Sequence, residues 1–158
     1  MTSAYCGINI AGPKARHVLT KLQSDIDFSS DAFPYMGVRS GVISNIPARV
    51  IRVGFVGEVG YEIHVPQLLG EALWDLVLEA GHEFGIQPFG IESQRILRLE
   101  KGHIIIGQDT DAMSNPNEIQ MGWAVSRDKP FFVGGRTISE LERKPSLRKL
   151  VGFLIDDL

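Results

Sequence analysis

Glu62 is the side chain whose position in this sequence most suggests chemistry. It lies within residues 48–66, where Tyr61 and Ile63 alternate with Glu62 and His64. This period of two predicts a β-strand with Tyr61 and Ile63 on one face and Glu62 and His64 on the other. Glutamate is depleted in strands. The carboxylate is therefore either a solvated outer-face group, the commoner case, or a fixed hydrogen-bond acceptor facing a pocket, and the spacing leaves both open.

No other group completes a catalytic or metal site by spacing. Asp109 and Asp111 resemble a metal-binding pair, but no third acidic ligand follows at calcium-loop spacing, which favours a solvated or capping loop. Cys6 has no assignable His, Asn or Asp partner. The glycine-rich residues 54–60 lie between two predicted strands, whereas a dinucleotide loop lies between a strand and a helix. We predict no metal site and assign no catalytic residue. The histidines lack metal-ligand spacing and are His17, His64, His82 and His103.

Composition excludes several classes of function. The 158 residues are 44% hydrophobic and 22% charged, which is typical of a globular domain, and the net charge of −3 argues against nucleic acid as a partner. No apolar run approaches the roughly 20 residues that span a bilayer. A single cysteine cannot form an internal disulfide, and the first residues lack the pattern of a signal peptide. We therefore expect a cytoplasmic location, with no nucleic acid and no membrane as partner.

The elements that must position Glu62 follow from periodicity. Apolar alternation and helical stripes predict a strand over 5–12, a helix over 13–22, a short strand near 37–43, a hairpin with strands 50–55 and 61–65, a helix over 69–80 and a short strand over 86–89. This order predicts an α+β fold, an antiparallel sheet with helices on one face in a split βαβ, ferredoxin-like arrangement.

The rest of the chain carries weaker signals. We predict a helix over 91–101 with Ile96 and Leu99 on its apolar side, where Glu92, Arg95 and Arg98 can form ion pairs. Further predicted features are a buried run over 104–106, a strand over 122–125, a helical turn over 137–141, a boundary at 144–145 and a last strand over 149–155.

Several motifs together resemble a known family. The stretches GFVGEVGYEIHVP, LRLEKGHIIIGQDTD, GWAV and FVGGR are similar to the folate-dependent aminomethyltransferases, which include the T-protein of the glycine cleavage system. The sequence from Glu100 to Asp111 resembles the folate-binding region of the α subunit of heterotetrameric sarcosine oxidase, and dimethylglycine dehydrogenase-like proteins, more than it resembles the T-proteins. The resemblance covers residues 8–155.

The resemblance implies roles for individual residues. The glutamate of the Gly-Tyr-Glu-Ile motif binds the pterin ring of tetrahydrofolate in this family, which assigns that role to Glu62. Tyr61 is a weaker candidate for shaping the site, with core packing as the alternative. T-proteins often have an arginine where this chain has Gln94, next to Arg95. Such an arginine would bind the glutamate tail of the folate or hold the site together, and in this chain Arg95 is the candidate cofactor-binding residue. Trp123 is either directed toward the cofactor cavity or packed in the core.

The resemblance also implies a division of the chain and two functions. We expect a ferredoxin-like lobe over 1–90, an extension over 91–144 that completes the aminomethyltransferase core, and the first strand of a truncated C-terminal barrel over 145–158. The family's N-terminal motif and its aspartate have no match here, so the chain alone is expected to lack turnover. One function is transfer of a one-carbon unit from a small amine donor to tetrahydrofolate. The other is a non-catalytic folate-binding or assembly module of a larger oxidase. Partners would be subunits of a sarcosine oxidase-like complex or a lipoyl carrier protein.

Overall fold

The computed structural model describes residues 2–145 and 148–155. They fall into two compact units, Met1–His103 and Ile104–Leu158. The predicted boundaries at 90 and 144 remain predictions, as does a barrel domain beginning after 145. Each unit is described in turn.

The first unit is built on a four-stranded antiparallel sheet. Its strands are β1 (Tyr5–Ala11), β2 (Val38–Ile43), β3 (Ile46–Ile51) and β4 (Gly60–Pro66). The spatial order is β1-β4-β3-β2, and every neighbouring pair is antiparallel. The alternating burial along β3 and β4 shows why these residues form strands, because one face covers a core while the other does not.

Three helices belong to the first unit: α1 (Ala15–Lys21), α2 (Gly70–Gly81) and α3 (Ile91–Glu100). Val18 and Leu19 of α1, and Leu73 and Val77 of α2, are buried in the same hydrophobic core as the inner side chains of the sheet. Helices α1 and α2 therefore pack on one face of the sheet, and the predicted α+β class is confirmed. Short 3-10 turns lie at Thr2–Ala4, Gln67–Leu69 and His82–Phe84.

The predicted hairpin is present as the antiparallel pair of β3 and β4, but its first strand has different bounds, and a further predicted strand is wrong. Strand β3 ends at Ile51, and residues 52–59 form an irregular connection where the strand was predicted to continue to residue 55. Residues 86–89 form no strand. The backbone N–H of Ile86 donates to the Gly81 carbonyl at the end of α2, and Pro88 has no N–H to donate to a ladder. The strand that would complete the predicted ferredoxin-like order is therefore absent from the described residues.

The second unit contains little regular structure. Its described residues hold one helix, α4 (Gly135–Glu142), and a 3-10 turn at Gly122–Ala124. The helical turn predicted over 137–141 is confirmed. The strands predicted over 122–125 and 149–155 are wrong as far as the described residues go, because no neighbouring strand of the unit offers them a ladder. The run over 104–106 is not a buried one, since Ile106 is 75% exposed.

No helix in the described parts of the chain combines the length and the hydropathy that crossing a membrane requires.

Candidate functional site

Glu62 lies in the middle of β4 on the face of the sheet turned away from the core, which we call the outer face. Tyr61 and Ile63, on either side of it, are fully buried, whereas the Glu62 side chain is 46% exposed. Its partners across the sheet are Asn9 of β1 and Ile51 of β3. The predicted alternation is confirmed. The carboxylate lies on a strand whose opposite face packs on the core.

His64 follows on the same face of β4. Its Nε2 lies 3.4 Å from Glu62 Oε2, and its side chain is 35% exposed. Its partners across the sheet are Gly7 of β1 and Arg49 of β3. The outer face thus brings a carboxylate, an imidazole, an amide and a guanidinium onto neighbouring strands. Such a set can accept and donate hydrogen bonds to a flat polar molecule.

Tyr61 belongs to the core rather than to the outer face. Its ring packs edge-to-face against Phe28, with centroids 5.8 Å apart, and against Phe33, with centroids 5.6 Å apart. Its hydroxyl accepts a hydrogen bond from Arg16 Nε at 3.1 Å. Of the two roles considered for Tyr61, core packing is the one that matches its position. Through this packing it fixes the backbone of β4 next to Glu62.

A cavity of about 850 Å³ opens beside β1, and sequence reasoning missed it. Its walls are β1, the N-terminal end of α1 with the turn before it, one side of α2 and the segment from residue 84 to the first turn of α3. Trp74 and Phe89 are among its aromatic lining residues, and Asn9 and Gln94 are among the polar ones. Glu62 does not line the cavity, but Asn9, its partner across the sheet, does. No sequence signal marks this cavity, because it depends on the position of β1 at the edge of the sheet that the described residues form.

The position of Arg95 separates it from Gln94. Arg95 Nη1 contacts Glu92 Oε1 at 2.8 Å on the surface of α3, which is the ion pair expected from helical spacing. Gln94, one residue earlier, lines the cavity. The buried cation of this helix is Arg98, which is 3% exposed and donates from Nη1 to the His103 carbonyl at 3.0 Å.

The prediction that Ile96 and Leu99 form the packed apolar side of α3 is wrong. Ile96 and Leu99 are 61% and 65% exposed, so the face that carries Arg98 is the packed one. The structure gives a reason in the connection between β3 and β4, which lies against the C-terminal end of α3. Lys101 Nζ contacts Glu58 Oε1 at 3.2 Å, and the Phe55 and His103 rings lie tilted to each other with centroids 6.0 Å apart.

Trp123 and the aspartates 109 and 111 lie in the second unit. Trp123 is 80% exposed, so it does not pack in a core. Asp109 Oδ2 accepts the backbone N–H of Ile105, and Asp111 Oδ1 accepts that of Met113. These are the capping contacts of a loop. No group of three metal-ligating side chains occurs among the described residues.

Comparison with known proteins identifies the family. Residues 1–129 match the model of the GCVT N-terminal domain. The chain is 41% identical over 150 residues to the sarcosine oxidase subunit alpha of Corynebacterium sp. strain U-96, covering 94% of this chain and 15% of that protein. It is 32% identical over 149 residues to the aminomethyltransferase of Halothermothrix orenii, covering 94% and 41%.

A third relative is human mitochondrial dimethylglycine dehydrogenase, 37% identical over 145 residues, which cover 91% of this chain and 17% of that protein. The chain therefore spans less than half the length of each of these relatives. The resemblance stated from the motifs is confirmed, and the chain belongs to the GCVT N-terminal domain family.

Proposed function

We propose that this chain is the tetrahydrofolate-binding part of a one-carbon transferase, with Glu62 as the acceptor for the pterin ring. The observation that carries the proposal is the placement of Glu62, half-exposed on a strand whose neighbouring residues are fully buried. A carboxylate on such a strand keeps its oxygens accessible, and the backbone that carries it is already ordered before binding. Membership of the GCVT N-terminal domain family supports the same reading.

The Glu62 carboxylate matches the hydrogen-bond donors of the pterin. A 2-aminopyrimidinone edge presents two adjacent N–H groups, and a carboxylate accepts both in a charge-assisted bidentate pair. Asn9 is the cross-strand partner of Glu62, and the same residue lines the cavity of about 850 Å³, whose aromatic walls suit the apolar part of such a ligand. When bound, tetrahydrofolate would supply the nitrogens that receive the one-carbon unit, giving 5,10-methylenetetrahydrofolate.

The remaining predicted residues take supporting roles in this proposal. Tyr61 acts from the core, by fixing the strand that carries Glu62. Arg95 is a surface cation that can exchange Glu92 for the carboxylates of the folate tail, at small cost because exposed ion pairs are weak. Gln94 lines the cavity. T-proteins often have an arginine at this sequence position, so the glutamine favours a sarcosine oxidase-like protein. Trp123 belongs to the second unit, and its cofactor-binding role stays as the resemblance implies it.

A second function rests on the lengths of the relatives. The chain matches 15% of a sarcosine oxidase subunit alpha and 17% of a dimethylglycine dehydrogenase. In proteins of that size, this domain would serve as a folate-binding or assembly module that other subunits or domains contact. The one-carbon donor would then be an amine-derived unit made elsewhere in the complex, whereas a T-protein-like role would require a lipoyl carrier protein.

The test is tetrahydrofolate titration by calorimetry with the 158-residue chain and its Glu62→Gln variant. The amide replaces one acceptor oxygen by a donor that faces the donors of the pterin. We expect affinity to fall about ten- to a hundredfold, the equivalent of losing one charge-assisted hydrogen bond.

Glu79→Gln is the matched control, because Glu79 is exposed on α2 and has no ion pair among the described contacts. Glu58 is less suitable as a control, since its Oε1 contacts Lys101 Nζ at 3.2 Å. Equal affinities for the Glu62 variant and the parent, or no binding to the parent, would overturn the proposal.

A further inference from the structure

We propose that His64 is a positioning residue that holds the Glu62 carboxylate in its binding orientation, an inference that rests on the proposed function of Glu62. The two residues lie two positions apart on β4 and share the outer face. Their side chains approach to 3.4 Å between His64 Nε2 and Glu62 Oε2. A small rotation of either side chain brings this pair to hydrogen-bond distance.

The imidazole nitrogen gives the strongest reason for this pairing. Although a third of the side chain is exposed, Nε2 itself is shielded from solvent and has no hydrogen-bond partner among the described residues. A shielded polar nitrogen is unfavourable unless it is bonded. The Glu62 carboxylate is the group within reach, so the neutral ring gains most when its proton is on Nε2 and points at Oε2.

The surroundings of His64 keep the ring in place. Gly7 is its partner on β1, and a Cβ at Gly7 would lie 3.4 Å from both Cε1 and Nδ1 of the ring. The imidazole therefore lies over the glycine, where a larger side chain would crowd it. On the other side its partner is Arg49 of β3, which is exposed. Gly7 has no side chain and Arg49 has only donors in its side chain. The Glu62 carboxylate is therefore the side-chain acceptor that the ring can face.

This arrangement determines how Glu62 can bind. An ionised carboxylate has about four acceptor positions on its two oxygens. An imidazole N–H on Oε2 uses one of them and fixes the plane of the group, and three remain for a ligand that presents two N–H groups. Holding the acceptor in advance lowers the ordering cost of binding.

The first test needs no ligand. In ¹⁵N NMR spectra of the chain, recorded at a pH where the ring is neutral, we expect the His64 proton on Nε2. In Glu62→Gln the Nε2 resonance should shift, because its acceptor changes from a carboxylate to an amide. A ring protonated on Nδ1, or an Nε2 signal that is unchanged by Glu62→Gln, would overturn the proposal whether or not folate binds.

The second test measures tetrahydrofolate affinity by calorimetry for two His64 variants. His64→Leu removes the donor at similar size, and we expect affinity to fall about five- to tenfold with an unchanged unfolding midpoint. His64→Gln restores an N–H near the Nε2 position and should bind within about twofold of the parent. In the Glu62→Gln background, His64→Leu should cause no further loss, because the two residues act as one unit.

The outcomes separate the two ideas. If Glu62→Gln binds as tightly as the parent, the proposed function fails. If Glu62→Gln binds weakly while His64→Leu binds like the parent, the proposed function stands and the role of His64 fails. A loss in His64→Leu that His64→Gln does not restore would point to packing and would also overturn the positioning role.

Discussion

The two units of this chain differ in where their apolar side chains lie. Every side chain of the hydrophobic core belongs to the first unit, between Ile8 and Val77. In the described part of the second unit no residue is buried, although large apolar side chains are frequent. Trp123 is 80% exposed, Phe131 83% and Phe153 86%. Apolar composition alone therefore does not build a core, which requires two layers of regular elements facing each other.

Polar contacts hold the second unit together instead. Asn115 Oδ1 accepts the backbone N–H groups of Asn117 and Glu118. Arg148 Nη2 contacts Glu118 Oε2 at 3.2 Å. Exposed ion pairs contribute about 0–1 kcal/mol each, whereas a fully buried leucine contributes several times more. The comparison thus predicts that stability resides in the first unit, and the following experiments test it in order of expected effect.

The largest effect is expected from Leu73→Ala. Leu73 is fully buried between α2 and the sheet, so truncation leaves a cavity and should lower the free energy of unfolding by about 2–5 kcal/mol in urea denaturation. Leu68→Ala is the control, in the 3-10 turn just before α2 at a side chain that is 96% exposed, and should change stability by less than about 0.5 kcal/mol. Similar losses in both variants would contradict the described core.

A smaller loss should follow Tyr61→Phe. The ring stays between Phe28 and Phe33, but the hydroxyl that accepts from Arg16 Nε at 3.1 Å is lost. One hydrogen bond contributes about 0.5–1.5 kcal/mol, and urea denaturation should show a loss of that size. Tyr35→Phe, at a residue that is 65% exposed, should be neutral. A neutral Tyr61→Phe would show that the contact with Arg16 does not stabilise the core.

Sequence reasoning succeeded where a pattern and its packing partner lie close in the chain. The alternation around Glu62 predicted both faces of β4, and the stripe that contains Leu73 and Val77 predicted the buried side of α2. Both elements are adjacent along the chain and pack on the same core, so local periodicity was sufficient.

It failed where the partner is distant or absent. Helix α3 packs its Arg98 face, because the C-terminal end of α3 meets the connection between β3 and β4, which precedes it by some forty residues. The residues 149–155 have strand-forming composition, but a strand requires a ladder, and the second unit offers none among its described residues. The cavity beside β1 depends on the position of this strand at the edge of the sheet that the described residues form, a property of topology rather than of any motif.

The smallest expected effect concerns acid and the second unit. Hydrogen bonds from Arg148 lower the pKa of Glu118, and the Ser114 hydroxyl lowers that of Asp111, with Arg148 adding a weaker attraction. A carboxyl whose pKa is lowered by folding contributes stability that is present above its unfolded pKa of about 4 and is lost as pH falls through the folded value. ¹³C NMR titration of the side-chain carboxyls should show both groups titrating below their ordinary range.

Arg148→Gln separates the causes of these two shifts. We expect the pKa of Glu118 to rise toward its ordinary value, because its first cause is the guanidinium, whereas Asp111 should move less because its first cause is Ser114. Backbone amides of β4 should keep their exchange protection in acid in both proteins, since the core of the first unit does not depend on these groups. Equal shifts of the two pKa values would contradict the causes assigned to them. Loss of amide protection in β4 together with the second unit would mean that the two units do not differ in the way their burial implies.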